Sequence, residues 1–155
     1  AAKNRCRRYA EEFGRDSGNL LFMGGTGLGK THLSAAIGST VIKKGKTVIY
    51  ESARNILNEY RANAFSDANN DTDRFSRCDL LIIDDLGTEM TTQFAVSALY
   101  QLLNSRLLEN RPTIVSTNLP LGDIAPRYSA QIYSRLLGAY RLYKFYGDDI
   151  RFKLK

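Results

Sequence analysis

Four apolar residues, Leu20 to Met23, run without a break into Gly24-Gly-Thr-Gly-Leu-Gly-Lys30-Thr31, and small helix-forming residues follow directly. A short continuous apolar run suits a strand buried on both faces. Glycines let the next segment curl so that successive N–H groups point into one concavity. The helix predicted over about 30–44 adds unpaired N–H groups and a positive dipole end to that concavity. Strand, glycine loop and helix in this order commit the chain to α/β layering, because the helix must pack back onto the sheet that supplies the strand.

The remaining pattern agrees. Ala2 to Phe13 reads as a helix, Thr47 to Tyr50 as a second strand, and Ser52 as the N-cap of a helix running to about Phe65. Ser66 to Asp73 is a polar loop. Leu80 to Asp84 is a third buried strand, and a long helix comes next over about Thr92 to Glu109. Thr113 to Thr117 is a fourth strand. Pro120, Gly122 and Pro126 mark a loop ahead of a helix around Ser129 to Leu137, and Tyr140 to Tyr146 forms a last strand. Alternation of strand and helix predicts a five-stranded, mainly parallel sheet between helices.

Composition narrows the classes. The chain has 155 residues, enough for one domain with a proper core. Its apolar runs are far shorter than the roughly 20 residues of a membrane-spanning helix. The charged start has no signal-peptide character. Cys6 and Cys78 stand far apart and His32 is the sole histidine, which argues against a zinc site or a disulfide framework and for a reducing, cytoplasmic setting. A net charge of +6, with Lys3, Arg5, Arg7 and Arg8 crowding the start, permits contact with nucleic acid; a solvated helix face is the plainer reading of that cluster. The chain does not begin with Met, and we read it as a piece of a longer protein.

Gly24-x-x-x-x-Gly29-Lys30-Thr31 fits the Walker A pattern, placed after a strand and at a helix start as the physics requires. Lys30 is expected to reach the β- and γ-phosphates and Thr31 to place its hydroxyl on Mg²⁺. The nucleotide-contacting set is thus Gly24, Gly25, Thr26, Gly27, Leu28, Gly29, Lys30 and Thr31, with His32 beside it in a non-catalytic place. The glycine spacing excludes a dinucleotide fingerprint. Leu80-Leu-Ile-Ile-Asp84-Asp85 puts carboxylates at the C-terminal edge of a buried strand, where α/β sheets bind ligands. Asp84 is expected to hold Mg²⁺ and Asp85 to orient or deprotonate the attacking water. Asn118 ends the next strand, where it either hydrogen-bonds γ-phosphate or the lytic water, or simply forms a turn. Arg135 is either a surface ion-pair partner or a group reaching a neighbour's γ-phosphate.

Taken together, GGTGLGKTHLSAAIG, LLIIDDLGTE, IVSTN and IYSRLLGAY resemble the AAA+ ATPase core of bacterial helicase loaders of the DnaC/DnaI group, with IstB-type transposition ATPases as close relatives. The resemblance covers about Tyr9 to Arg151. It implies a P-loop NTPase fold, with residues 1–155 as a single AAA+ domain. Within it, Asn118 matches sensor 1 and Arg135 the arginine finger, with Arg127 a second candidate. It implies ATP, Mg²⁺, a ring-like or helical oligomer with nucleotide between protomers, single-stranded DNA and a DnaB-type replicative helicase as partner. DNA-contacting helices come after the second strand in such loaders; that region holds Arg54, Tyr60, Arg61 and Phe65, and the equal alternative is an amphipathic helix with Ile56, Leu57 and Tyr60 in the core.

Three departures stand out. The usual acidic pair is Asp-Glu, whereas this chain has Asp84-Asp85, which predicts slow hydrolysis, with Glu89 as a helper, or a nucleotide-binding scaffold that does not hydrolyse. Too few residues come after Gly138 for a full helical lid, although Arg151 sits where a sensor 2 arginine would. The N-terminal partner-binding domain of a loader is missing.

Overall fold

The computed structural model describes residues 2–27, 29–146 and 153–154. Five parallel strands form the sheet: β1 (Asn19–Met23), β2 (Val48–Ser52), β3 (Leu80–Leu86), β4 (Thr113–Thr117) and β5 (Tyr140–Tyr146). A two-residue strand, β6 (Lys153–Leu154), runs antiparallel beside Phe145 and Tyr146, giving the order β2-β3-β4-β1-β5-β6. The expected five-stranded parallel sheet is therefore present with a short addition at one edge.

Alternation along the strands splits the core in two. Leu20, Phe22, Leu80, Ile82, Ile114, Tyr143 and Phe145 face α1 (Ala2–Glu11) and α2 (Lys30–Lys43). Leu21, Met23, Leu81, Ile83, Val115 and Tyr140 face α3 (Ala53–Phe65), α4 (Asp73–Arg77), α5 (Gln93–Leu108), α6 (Leu121–Arg127) and α7 (Ala130–Ala139). Leu80 to Ile83 are wholly buried, as their unbroken apolar run requires. Ser52 caps α3 by accepting from the Asn55 N–H at 3.1 Å, and Thr92 and Ser129 cap α5 and α7 in the same way.

Two short helices are not legible in the sequence. α4 lies just beyond the polar loop after α3, held by an Arg74–Glu59 ion pair of 2.7 Å. α6 occupies the stretch expected to be a loop: Pro120 stands at its N-cap and Pro126 inside it, so the proline pattern that reads as a breaker is absorbed near the helix end. α1 ends at Glu11, two residues short of the expected Phe13.

Parallel strands carry all their C-terminal ends to one edge, so the loops after β1, β3 and β4 meet there. At that edge Gly24 has φ +149, and a β-carbon on it would lie 2.7 Å from the Phe145 carbonyl oxygen. Gly24→Ala is expected to lower stability by about 1–3 kcal/mol through overpacking against β5. Urea unfolding of the variant would reveal it, and an unchanged midpoint would disprove the close approach.

Candidate functional site

An open cleft of ≈ 1190 Å³ lies along that edge, lined by Thr26, Gly27, Gly29, Lys30, Thr31, His32, Asp84, Asp85 and Asn118 among others. Residues from three separate stretches of sequence thus converge because β1, β3 and β4 are neighbours in the sheet. Lys30 is buried, and its ammonium donates to the carbonyls of Gly24 and Gly25, each at 2.7 Å. Burial pushes its pKa down, while the carboxylates of Asp85 and Asp84 oppose that shift. Gly29, at φ +96, takes the N-cap of α2 in the left-handed region, which only glycine enters without a steric cost. His32 is exposed on the first turn of α2.

Three hydroxyls converge on Asp84. Thr31 Oγ1 lies 3.2 and 3.3 Å from its two oxygens, Tyr50 donates to Oδ2 at 2.9 Å, and buried Ser116 donates to Oδ1. Asp85 is exposed at φ +60, within a bulge where the β3–β4 register shifts between Ile83 and Leu86. Its N–H donates to Ser116 Oγ at 3.2 Å and its carbonyl accepts from Thr88 Oγ1 at 3.1 Å. Asn118 donates through Nδ2 to Thr26 Oγ1 at 3.0 Å, tying the end of β4 to the glycine loop.

Sequence reasoning assigns no role in the site to Tyr50, Ser116, Thr88 or Lys3. Tyr50 and Ser116 bind Asp84 directly, and Thr88 and Lys3 line the cleft. Ser116 and Tyr50 sit among apolar strand residues, and only the strand order shows that they flank Asp84.

Other expected residues lie elsewhere. Arg135 is half-buried on α7, donating to Asn104 Oδ1 at 3.2 Å and Tyr100 OH at 3.3 Å, and does not line the cleft. Arg127 donates to the Glu89 carbonyl. Glu89 does not serve as a helper base in this arrangement: it is buried, its carboxylate accepts from the Gly87 N–H and the Tyr128 hydroxyl, and it lines no part of the cleft. Arg54 and Arg61 are exposed along a separate groove of ≈ 350 Å³, with Arg54 donating to the Thr88 carbonyl at 2.9 Å. Tyr60 instead turns inward, its ring 6.1 Å from Phe75, beside buried Ile56 and Leu57. Leu28 and Arg151 lie outside the described residues.

A phosphate loop on β1, acids on β3 and a polar strand end on β4 between them define a P-loop nucleotide-binding domain of the AAA+ class. The chain belongs to the family described as IstB-like ATP binding protein, whose model matches residues 8–137. The replicative helicase loader DnaC of Escherichia coli strain K12 is 26% identical over 139 residues, covering 87% of this chain and 56% of that protein. The crystal structure of the DnaC helicase loader superposes with a TM-score of 0.77 at 24% identity, over 90% of this chain and 85% of the other. The structure of the replication initiator DnaA bound to AMPPCP and single-stranded DNA gives a TM-score of 0.77 at 23% identity, over 95% of this chain and 46% of that one. These likenesses show a DnaC-like AAA+ fold, and the proteins matched are replication proteins. The chain spans about half the length of the curated relatives it matches. No helix among the described residues is long and apolar enough to cross a membrane.

Proposed function

We propose that the chain is the ATP-hydrolysing domain of a DNA replication protein, a loader that places a DnaB-type helicase on single-stranded DNA, and that residues 1–155 act as one AAA+ unit. The convergence of Lys30, Thr31, Asp84, Asp85 and Asn118 on one cleft carries this reading. Its relatives supply the replication context: a DnaC loader in sequence, and a DnaA that binds an ATP analogue and single-stranded DNA in structure.

The donor set fits a phosphate-borne divalent ion. Among the described residues no cluster of three acidic, histidine or cysteine side chains exists to cage a metal alone. Mg²⁺ characteristically takes one or two carboxylates plus phosphates and water. Thr31 and Asp84 would hold it, and when bound it offsets charge on the β- and γ-phosphate oxygens. Lys30 would exchange its two carbonyl acceptors for phosphate oxygens. Asp85, exposed at the cleft, would orient the attacking water, and Asn118 would hold water or γ-phosphate against the glycine loop.

Because Arg135 is absent from its own cleft, a catalytic role for it requires a neighbouring protomer. Arg135→Ala is expected to keep nucleotide affinity while losing tenfold or more of assembled-state ATPase activity, about the effect of one arginine finger or less. The rate per protomer should rise with protein concentration in wild type, further with single-stranded DNA and helicase, and stay flat in the variant. Equal rates at high concentration would refute the finger. No phosphate release under any of these conditions would favour a nucleotide-binding scaffold. The resemblance to IstB-type transposition ATPases points to a second partner, a transposase; pull-down with helicase and with transposase separates the two.

A further inference from the structure

A second charged cavity, ≈ 660 Å³, lies at the other end of the sheet. It is lined by Gly14 to Ser17, just before β1, and by Arg141, which pairs in register with Leu20 near the start of β1. The length of β1, about 16 Å at 3.3 Å per residue, separates it from the glycine loop. Among the described residues four arginines line it: Arg5, Arg8, Arg15 and Arg141.

Their partners differ. Arg15 is occupied by the carbonyls of Glu109 and Asn110, and the facing Asp16 accepts from the Asn110 amide. Arg5, Arg8 and Arg141 are exposed and have no ion pair or side-chain hydrogen bond among the described residues. Glu12 and Asp16 are the two carboxylates of the lining, so four guanidiniums, three of them without a partner, face two carboxylates. Arg5 and Arg8 stand three apart on α1, on one helix face, and Arg141 approaches from β5. They form an open basic wall.

We propose that this cavity binds the phosphate backbone of nucleic acid. Guanidinium forks suit phosphate oxygens, and groups from two elements fix a direction that a single helix face would not. Among the described residues Tyr9 is the one aromatic ring in the lining; it is buried and donates to the Gly18 carbonyl at 2.8 Å, so these residues present no stacking platform for bases. Contact is therefore with phosphates, without sequence preference, and extends to duplex. Membrane attachment fits less well: none of the exposed large hydrophobic side chains lines the cavity, whereas a membrane-binding face combines basic and inserted apolar groups. The choice of ligand rests on the replication role proposed for the chain; the site itself is separate from both the nucleotide cleft and the α3 groove.

The test is fluorescence anisotropy of a labelled duplex and its single strand, titrated between about 50 and 200 mM salt. Proteins are wild type, Arg5→Gln/Arg8→Gln/Arg141→Gln, and Arg54→Gln/Arg61→Gln, with circular dichroism and ATP-analogue binding as folding controls. The triple variant is expected to bind duplex about tenfold or more weakly and to flatten the log-affinity against log-salt slope by about 2 to 3, one contact per arginine. Its ATP-analogue affinity is expected to stay at the wild-type value. Unchanged DNA affinity and slope in the triple variant, with binding lost only in the α3 variant, would overturn this site and leave the α3 reading standing. No DNA binding by wild type would overturn both. Anionic vesicles that sediment with wild type but not with the triple variant, while DNA binding is unaffected, would reassign the cavity to membrane.

Discussion

Lys30→Ala is expected to weaken Mg-ATP binding by two to three orders of magnitude. The ammonium is buried at the mouth of the glycine loop and already makes two short hydrogen bonds, so its position is fixed before any phosphate arrives. A charge-assisted hydrogen bond contributes about 1.5–3 kcal/mol. Two such bonds to phosphate oxygens amount to about 3–6 kcal/mol before the exchanged Gly24 and Gly25 acceptors are set against them, and each 1.4 kcal/mol is a factor of ten. The carbonyls of Gly24 and Gly25 lie at a solvent-facing loop, so water replaces the lost donor and the fold is expected to persist. Titration calorimetry with a non-hydrolysable analogue measures the loss. Affinity within threefold of wild type, in a protein with a native melting curve, would remove Lys30 from the phosphate site.

The second large effect concerns stability. Arg106 is fully buried at the end of the sheet away from the cleft, and it makes no ion pair among the described residues. Its guanidinium instead donates to the carbonyls of Phe75, Cys78 and Pro112 at 2.9, 2.9 and 2.7 Å, to those of Ser76 and Asp79 at 3.3 and 3.4 Å, and to Thr113 Oγ1 at 2.7 Å. These acceptors come from the end of α4, the turn before β3 and the start of β4, so one side chain joins three segments. Arg106→Met keeps much of the volume and removes every donor. A buried acceptor left without a partner costs about 1–3 kcal/mol, and partial rescue by water leaves an expected loss of about 4 kcal/mol. For a chain of this size that corresponds to a fall in Tm of about 8–16 °C. A loss below about 1 kcal/mol in denaturant unfolding would mean that the carbonyls find other donors.

Much of the fold is legible because local signals and tertiary demands coincide. The unbroken apolar run of Leu80 to Ile83 can only be satisfied by helices on both faces, and Ser52 announces α3 by its own chemistry. The glycine loop, Asp84, Asp85 and Asn118 are legible because each lies at or just past the C-terminal end of a strand, and parallel strands deliver those ends to one edge. Contacts created by strand order are hidden from a linear reading. Ser116 looks like one more small residue in a buried strand, yet it sits between Asp84 and Asp85 because β4 lies beside β3. Glu89 looks like a free carboxylate four residues past Asp85, yet Tyr128, distant in sequence, claims it. Arg106 gives no sign of its burial, since a charge in an amphipathic helix reads as solvent-facing. The prolines around Gly122 suggest a loop where a short helix accommodates them.

The backbone at Asp85 bears on how this site could be altered. Lengthening the carboxylate to the Glu usual in such sites would look like a simple gain in reach. At φ +60, however, aspartate is among the side chains that tolerate the left-handed region, and a longer side chain is less at ease there by roughly 1 kcal/mol. Reach and conformational ease thus pull in opposite directions at a single residue. A variant given longer reach at this position would be a less stable protein, unless the bulge that sets the angle were redesigned with it.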